Sequence, residues 1–252
     1  MTCLRYLSQL NHQWKYVQYL SGVDVPLKTN LEMVRIFKRL NGTINAEVTE
    51  FPRERFKSAK NKKFPMPLWK SSLSSLLPRA TVDAMVQSEK VRDLLSFLQN
   101  TYCPDETLWT TIGGNPAELP IPNSFNATAI YAKLLNERSK LKDNQNSSVS
   151  KVKKIWASTK NYQCFGKIVS GSCVFGIGDL ENMLTRPELI AHKFYFTLEP
   201  AAYFCLYYAV RSRAYDYESQ TRFQGTVYEQ LPQVRMAAGA KLDDVKFHFS
   251  IN

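Results

Sequence analysis

Glycine is scarce in this chain, with ten in 252 residues, against an ordinary usage of about 7%. A fold built around several Gly-rich phosphate loops is therefore disfavoured. The sequence holds neither a G-x-G-x-x-G nor a Walker A run; Gly176-Ile177-Gly178 stops at a doublet. Histidine is scarcer still. His12, His192 and His248 cannot make HExxH. The five cysteines contain no CxxC, which excludes a zinc finger or ribbon. No apolar run reaches the ~18–20 residues of a membrane span. The most apolar stretch, Ala201 to Val210, follows Glu199 and Pro200. Met1 to Leu10 carries a single charge, Arg5, and is too short for the apolar region of a signal peptide.

What is present is globular material: 44% apolar and 12% aromatic residues. Lys and Arg number 33 against 22 Asp and Glu, a net charge of +11. Two readings fit that excess: a basic protein that meets anionic partners, or an enzyme whose anionic ligand needs cations. Three N-glycosylation sequons begin at Asn41, Asn126 and Asn146.

Strand-like and helix-like pieces alternate, which favours an α/β layer architecture. Trp14 to Leu20 reads as a strand ending at Ser21-Gly22. Thr29 and Glu32 form a capping box, and Leu31, Val34, Phe37 and Leu40 follow at helical spacing before Asn41-Gly42. Arg53 to Lys70 is a basic, Pro-interrupted loop. Val91, Leu94, Leu95 and Leu98 make a second stripe behind Ser88. Pro104-Asp105-Glu106 opens a short helix stopped by Gly113-Gly114. Residues 115–125 read as loop, and 138–154 as a charged surface loop. Strands are expected at Lys167–Val169 and Cys173–Phe175, and short helices at Leu180–Leu184 and Pro187–Ala191. Pro200 sits at the start of a helix over Ala201–Arg213, and the tail from Gln220 reads as irregular.

Three features carry chemistry. Asp105 and Glu106 lie in a first helical turn, where the helix N-terminus favours their ionised forms and suits a general base. On spacing alone, ordinary dipole complementation is the plainer explanation of both. Adjacent helical residues point about 100° apart, so the two cannot flank one glycosidic bond. The basic loop fits a solvated surface, an acidic glycan, a substrate clamp or nucleic acid; no RNP-like or helix-turn-helix pattern supports the last. Cys164 and Cys173 enclose eight residues, two of them glycine, and read either as a short staple or as two buried thiols.

Three stretches, in order, resemble one family: WKYVQYLSGVDVPLKTN from Trp14, TYCPDETLWTTI from Thr101, and CVFGIGDLENMLTRPELIAHKF from Cys173. They are similar to the core-2/I-branching β-1,6-N-acetylglucosaminyltransferases, Golgi enzymes that branch O-glycans and polylactosamine. The resemblance runs from about Cys3 to about Cys205. It implies an α/β, GT-A-like fold and an inverting transfer of GlcNAc from UDP-GlcNAc to a 6-hydroxyl, with no metal and no other cofactor. By resemblance Glu106 is the catalytic base, and Lys193 neutralises the departing diphosphate. Glu47, Arg55 and Trp156 match acceptor-binding positions. Cys164 and Cys173 match a family disulfide, which implies an oxidising compartment.

Departures from the family pattern accompany the match. Ser170 stands where core-2 enzymes carry a second basic residue, with Lys167 three residues earlier. Ser158 replaces a Tyr of the acceptor site, and Cys103 replaces the Ser before Pro-Asp-Glu, where it is a poorer N-cap. Cys3 and Cys205 match cysteines whose partners lie upstream in the family. The expectation is a glycosyltransferase catalytic domain over 1–215, incomplete at its N-terminus, with an irregular extension over 216–252. The full-length form would be a type II membrane protein of the Golgi lumen. Its anchor lies outside this sequence, its partners are the nucleotide sugar and a glycoprotein glycan, and nucleic acid is not among them. Weak UDP binding and weak activity are expected of these 252 residues alone. The alternative is a catalytically weak or inactive relative that binds glycan or a partner protein.

Overall fold

The computed structural model describes residues 1–56, 65–143, 163–223 and 225–245. The chain begins with α1 (Thr2–Gln9), β1 (Tyr16–Gln18), β2 (Asp24–Pro26) and α2 (Asn30–Leu40). Short strands β3 (Thr49–Glu50), β4 (Trp69–Lys70) and β5 (Leu76–Pro78) follow. Then come α3 (Arg79–Gln87), α4 (Glu89–Leu98), α5 (Asp105–Gly113) and α6 (Ala127–Asp143). A hairpin of β6 (Lys167–Val169) and β7 (Ser172–Val174) leads to α7 (Leu180–Thr185) and β8 (Ile190–His192). The chain ends in α8 (Pro200–Tyr215), α9 (Tyr217–Arg222), α10 (Thr226–Glu229) and α11 (Pro232–Ala237).

Two compact units interleave along the sequence. One comprises the described parts of 1–19, 40–151 and 230–252, the other those of 20–39 and 152–229. In the first, β1 pairs antiparallel with β5, and β3 with β4. Its core gathers Val82, Met85, Val91, Leu94 and Leu98 from α3 and α4 with Leu108, Trp109 and Ile112 from α5. In the second, β2 pairs antiparallel with β8, and β6 with β7. Val25, Leu27, Phe175, Met183, Phe194 and Leu206 fill its core. The mixed helix and strand content agrees with the α/β expectation, and among the described residues the strands pair two at a time.

The local capping and stop signals are present in the structure. The Thr29 hydroxyl accepts the Glu32 N–H at 3.2 Å, and the Glu32 carboxylate accepts the Thr29 N–H at 2.6 Å, completing the capping box. Ser88 caps α4 by accepting from the Val91 N–H at 3.3 Å. Gly114 ends α5 where a Cβ would meet the Ala127 Cβ at 2.6 Å. Other expectations are corrected. The buried face of α2 is Glu32, Ile36 and Leu40, whereas Leu31 and Val34 are exposed. Residues 138–143, read as loop, continue α6. Ile190–His192 is strand rather than helix because it pairs with β2. The segment after 215, read as irregular, contains α9, α10 and α11. No helix among the described residues is long and apolar enough to cross a membrane.

Candidate active site

The helix that carries Glu106, α5, starts abruptly. Cys103 takes a left-handed conformation, φ +50°, and its carbonyl accepts the Glu106 N–H at 3.0 Å. Pro104 is the N-cap, so the Cys103 thiol is not a cap, which corrects that expectation. The Asp105 carboxylate accepts the Glu106 N–H at 3.0 Å and supports the turn. Ser71, following β4, donates its N–H to the Glu106 carbonyl at 2.6 Å. Every residue from Thr107 to Gly113 is buried, so the helix is a fixed platform with Glu106 at its half-exposed lip.

Arg55 meets Glu106 from 51 positions away. Its Nη2 donates to the Glu106 Oε2 at 2.6 Å, with side-chain exposures of 17% and 20%. The segment carrying Arg55 is tied to the approach of α5: Phe56 bridges Thr101, and the Tyr102 N–H donates to the Arg55 carbonyl at 2.8 Å. Phe56 also packs edge-on against Phe51 and Phe97 at 5.3 and 5.7 Å between ring centres. The Arg55 Nη1 is buried without a hydrogen-bond partner among the described residues. One turn beyond Glu106, the Thr110 hydroxyl donates to the Glu47 carbonyl at 2.6 Å. Glu47 and Arg55 are thus both tied to α5 or its approach, in the same unit as Glu106. The ion pair carries no local signature; only the fold brings its halves together.

Lys193 belongs to the other unit. It follows β8 and is buried, at 6% exposure. Its Nζ donates to the Val169 carbonyl at 3.1 Å and lies 5.1 Å from the centre of the Tyr195 ring. Among the described residues no carboxylate forms an ion pair with it. Val169 ends β6, and Ser170 (φ +50°) and Gly171 (φ +73°) make the two-residue turn to β7, where positive φ at both positions matches the strand twist. Ser170 and Lys167 are exposed on this hairpin.

Cys164 and Cys173 are joined in a disulfide, while Cys3, Cys103 and Cys205 are free and exposed. The ligand atoms of Cys164, Cys173 and Asp179 lie within 4.8 Å of one another, but both sulfurs are bonded. The Asp179 carboxylate accepts the Phe165 and Gly176 N–H groups at 3.2 and 2.8 Å. That arrangement offers a metal no thiolate. Asn126 is exposed and its Oδ1 caps α6 through the Ala129 N–H at 2.9 Å, which leaves Nδ2 for modification; Asn41 is exposed at the end of α2. Trp156, Ser158 and Asn146 lie outside the described residues.

Residues 1–183 match the model of the Core-2/I-Branching enzyme family. The chain belongs to that family. It is similar to the human β-1,3-galactosyl-O-glycosyl-glycoprotein β-1,6-N-acetylglucosaminyltransferase, 32% identical over 85% of this chain and 53% of the relative. It is also similar to the human N-acetyllactosaminide β-1,6-N-acetylglucosaminyl-transferase, at 28% over 90% and 58%. A sheep β-1,3-galactosyl-O-glycosyl-glycoprotein β-1,6-N-acetylglucosaminyltransferase 3 matches at 27%, over 85% and 51%. The chain spans about half the length of the curated relatives it matches.

Proposed function

We propose that this chain carries the acceptor and base side of a GT-A-like, inverting β-1,6-N-acetylglucosaminyltransferase, together with a diphosphate-binding lysine. The observation that carries the reading is the pairing of Glu106 with Arg55. One carboxylate oxygen is held by the guanidinium, and the other, Oε1, takes no hydrogen bond among the described residues. A carboxylate fixed in this way at a helix start can receive a proton. Glu106 takes the proton of the acceptor's C6 hydroxyl. That oxygen forms the new bond to the anomeric carbon of GlcNAc as the bond to the diphosphate breaks, and UDP departs with the electron pair. Lys193, buried and without a carboxylate partner, supplies the positive charge for the leaving diphosphate, and no metal is required. Glu47, Arg55 and Trp156 contact the acceptor sugar. The disulfide and the sequons support residence in the Golgi lumen, through a type II membrane anchor.

The test is transfer from UDP-GlcNAc to a Galβ1-3GalNAc or polylactosamine acceptor in the presence of EDTA. Transfer that persists in EDTA and is lost in Glu106→Gln supports the reading; transfer untouched by Glu106→Gln overturns the base assignment. One observation favours a second reading, a relative that binds glycan or a partner protein with little turnover. Ser170, beside the carbonyl that holds Lys193, brings no charge to the diphosphate. Glycan binding without transfer in the same assay would select it.

A further inference from the structure

Lys193 is flanked by a part-buried pair to which the proposed reaction gives no step. Asp24 and His192 face each other across the β2–β8 ladder. The Asp24 side chain has no exposed surface, and its Oδ1 lies 2.7 Å from the His192 Nδ1. Its Oδ2 accepts the Ser21 N–H at 2.7 Å. An ionised carboxylate only accepts, so Nδ1 carries the proton. Burial of this carboxylate requires that such partners stay in place. The peptide that follows Lys193 is hydrogen-bonded through both of its groups. The Phe194 N–H donates to the Val23 carbonyl at 2.9 Å, and the Phe175 N–H donates to the Lys193 carbonyl at 3.0 Å.

We propose that Asp24 and His192 are positioning residues for Lys193: their hydrogen bond fixes the end of β8, and so aims the ammonium beside Val169 at an anionic diphosphate. The inference rests on the reading of Lys193 as the diphosphate cation. His192 touches neither substrate nor reacting atoms and acts through the residue that follows it. An imidazole is not required for that role. Any side chain that donates one hydrogen bond to Asp24 from the same place should suffice.

The experiment combines two readouts on the full 252-residue chain. Amine acetylation, read by mass spectrometry at Lys193, reports whether the ammonium stays tethered. Calorimetric titration with UDP into the millimolar range reports the anion site. His192→Ala is expected to speed Lys193 acetylation several-fold and to weaken UDP binding about tenfold, the scale of one lost charge-assisted hydrogen bond. His192→Asn, whose amide can donate to Asp24, should restore both. The proposal is overturned if His192→Ala changes neither readout, or if His192→Asn behaves like His192→Ala. Should His192→Ala fail to fold, Asp24→Asn takes its place, with the same shape and a weaker acceptor; unchanged acetylation there overturns the proposal. Lys193→Ala separates the two claims. If it leaves UDP binding unchanged, the diphosphate reading fails while acetylation still decides the positioning role.

Discussion

Glu106 in one unit is held charge against charge, whereas Lys193 in the other is held by a backbone carbonyl and an aromatic ring. Glu106 is fixed by the Arg55 guanidinium at 2.6 Å, and that pair is largely self-neutralising. Lys193 is fixed by the Val169 carbonyl and the Tyr195 ring, which leaves its full charge for a ligand. A buried ammonium without a counter-ion is costly unless an anion arrives to offset it. The same contrast separates the two proposed roles. A base must be ionised and steady before the acceptor binds, while a cation for a leaving group must still be unspent when charge develops.

Two substitutions break that comparison most sharply. Glu106→Gln keeps the shape and removes the proton acceptor, so transfer should fall by about 10²–10⁴. UDP affinity should remain within about twofold, because the lost group acts only in the chemical step. Lys193→Ala should lower transfer by about 10²–10³ and weaken UDP binding as well. Steady-state kinetics beside calorimetry distinguishes these patterns. Equal losses of UDP affinity in both variants would erase the proposed division of labour.

Next in size is the covalent staple, which belongs to one unit alone. Replacing both Cys164 and Cys173 with Ser removes a short closed loop and should cost about 2–3 kcal/mol. Hydrogen exchange should show β6 and β7 opening more readily while α5 keeps its protection. Equal loosening of α5 would mean that the two units do not unfold separately.

How far this contrast was legible in the sequence depends on the range of the interaction. The Thr29–Glu32 box and the Ser88 cap are complete within four residues, and both could be read directly. The α2 stripe was misread because Glu32, which is polar, occupies the buried face. It does so with Arg213 at 3.3 Å, 181 positions away. Pro187–Ala191 resembled a helix, yet Ile190–His192 is strand because Asp24–Pro26 lies beside it. Ala201–Val210 is the most apolar stretch of the sequence, yet Phe204, Tyr207 and Tyr208 are exposed, and within it Ala202 and Leu206 alone are buried. Glu106 could be singled out from its place in a helical first turn. Arg55 and the Asp24–His192 pair could not be placed beside their partners, since no local pattern encodes a contact across 51 or 168 positions.

Alkaline pH acts with opposite sign on Tyr16 in the first unit and Lys28 in the second. Burial pushes the Tyr16 phenol up to about 12 in the first unit, against the lowering effect of the Gly42 and Thr43 backbone. The unfolded chain releases that proton first, so the contribution is complete below pH 10 and is lost as pH rises towards 12. Solvent still reaches the half-buried phenol, so the loss is on the order of 1 kcal/mol, and Tyr16→Phe should flatten it. Lys28 in the second unit runs the other way. Burial, then the Arg213 guanidinium, hold its ammonium below the ordinary lysine range, with Glu32 and Glu188 opposing. The unfolded chain therefore binds more protons just below pH 10.5, and stability rises with pH through that window. Tyr228, pushed up by burial, reverses the gain at higher pH. Urea titrations from pH 8 to 12, with Tyr16→Phe and Lys28→Met, would reveal the opposite slopes.

The smallest effect tests whether the Glu106 platform depends on its cap. Cys103 occupies the position where a Ser would be read as the N-cap, and a side-chain cap contributes about 1 kcal/mol. Here its backbone, not its thiol, bonds to Glu106, and Pro104 begins the helix. Cys103→Ser should therefore change stability by less than about 0.5 kcal/mol and leave transfer intact. Cys103→Gly should be tolerated too, because φ +50° is open to glycine without the steric cost of a Cβ. A stabilisation near 1 kcal/mol in Cys103→Ser, measured by urea unfolding, would show that the new hydroxyl captures a first-turn N–H. In that case the helix that carries Glu106 would be held by a local cap as well as by Arg55.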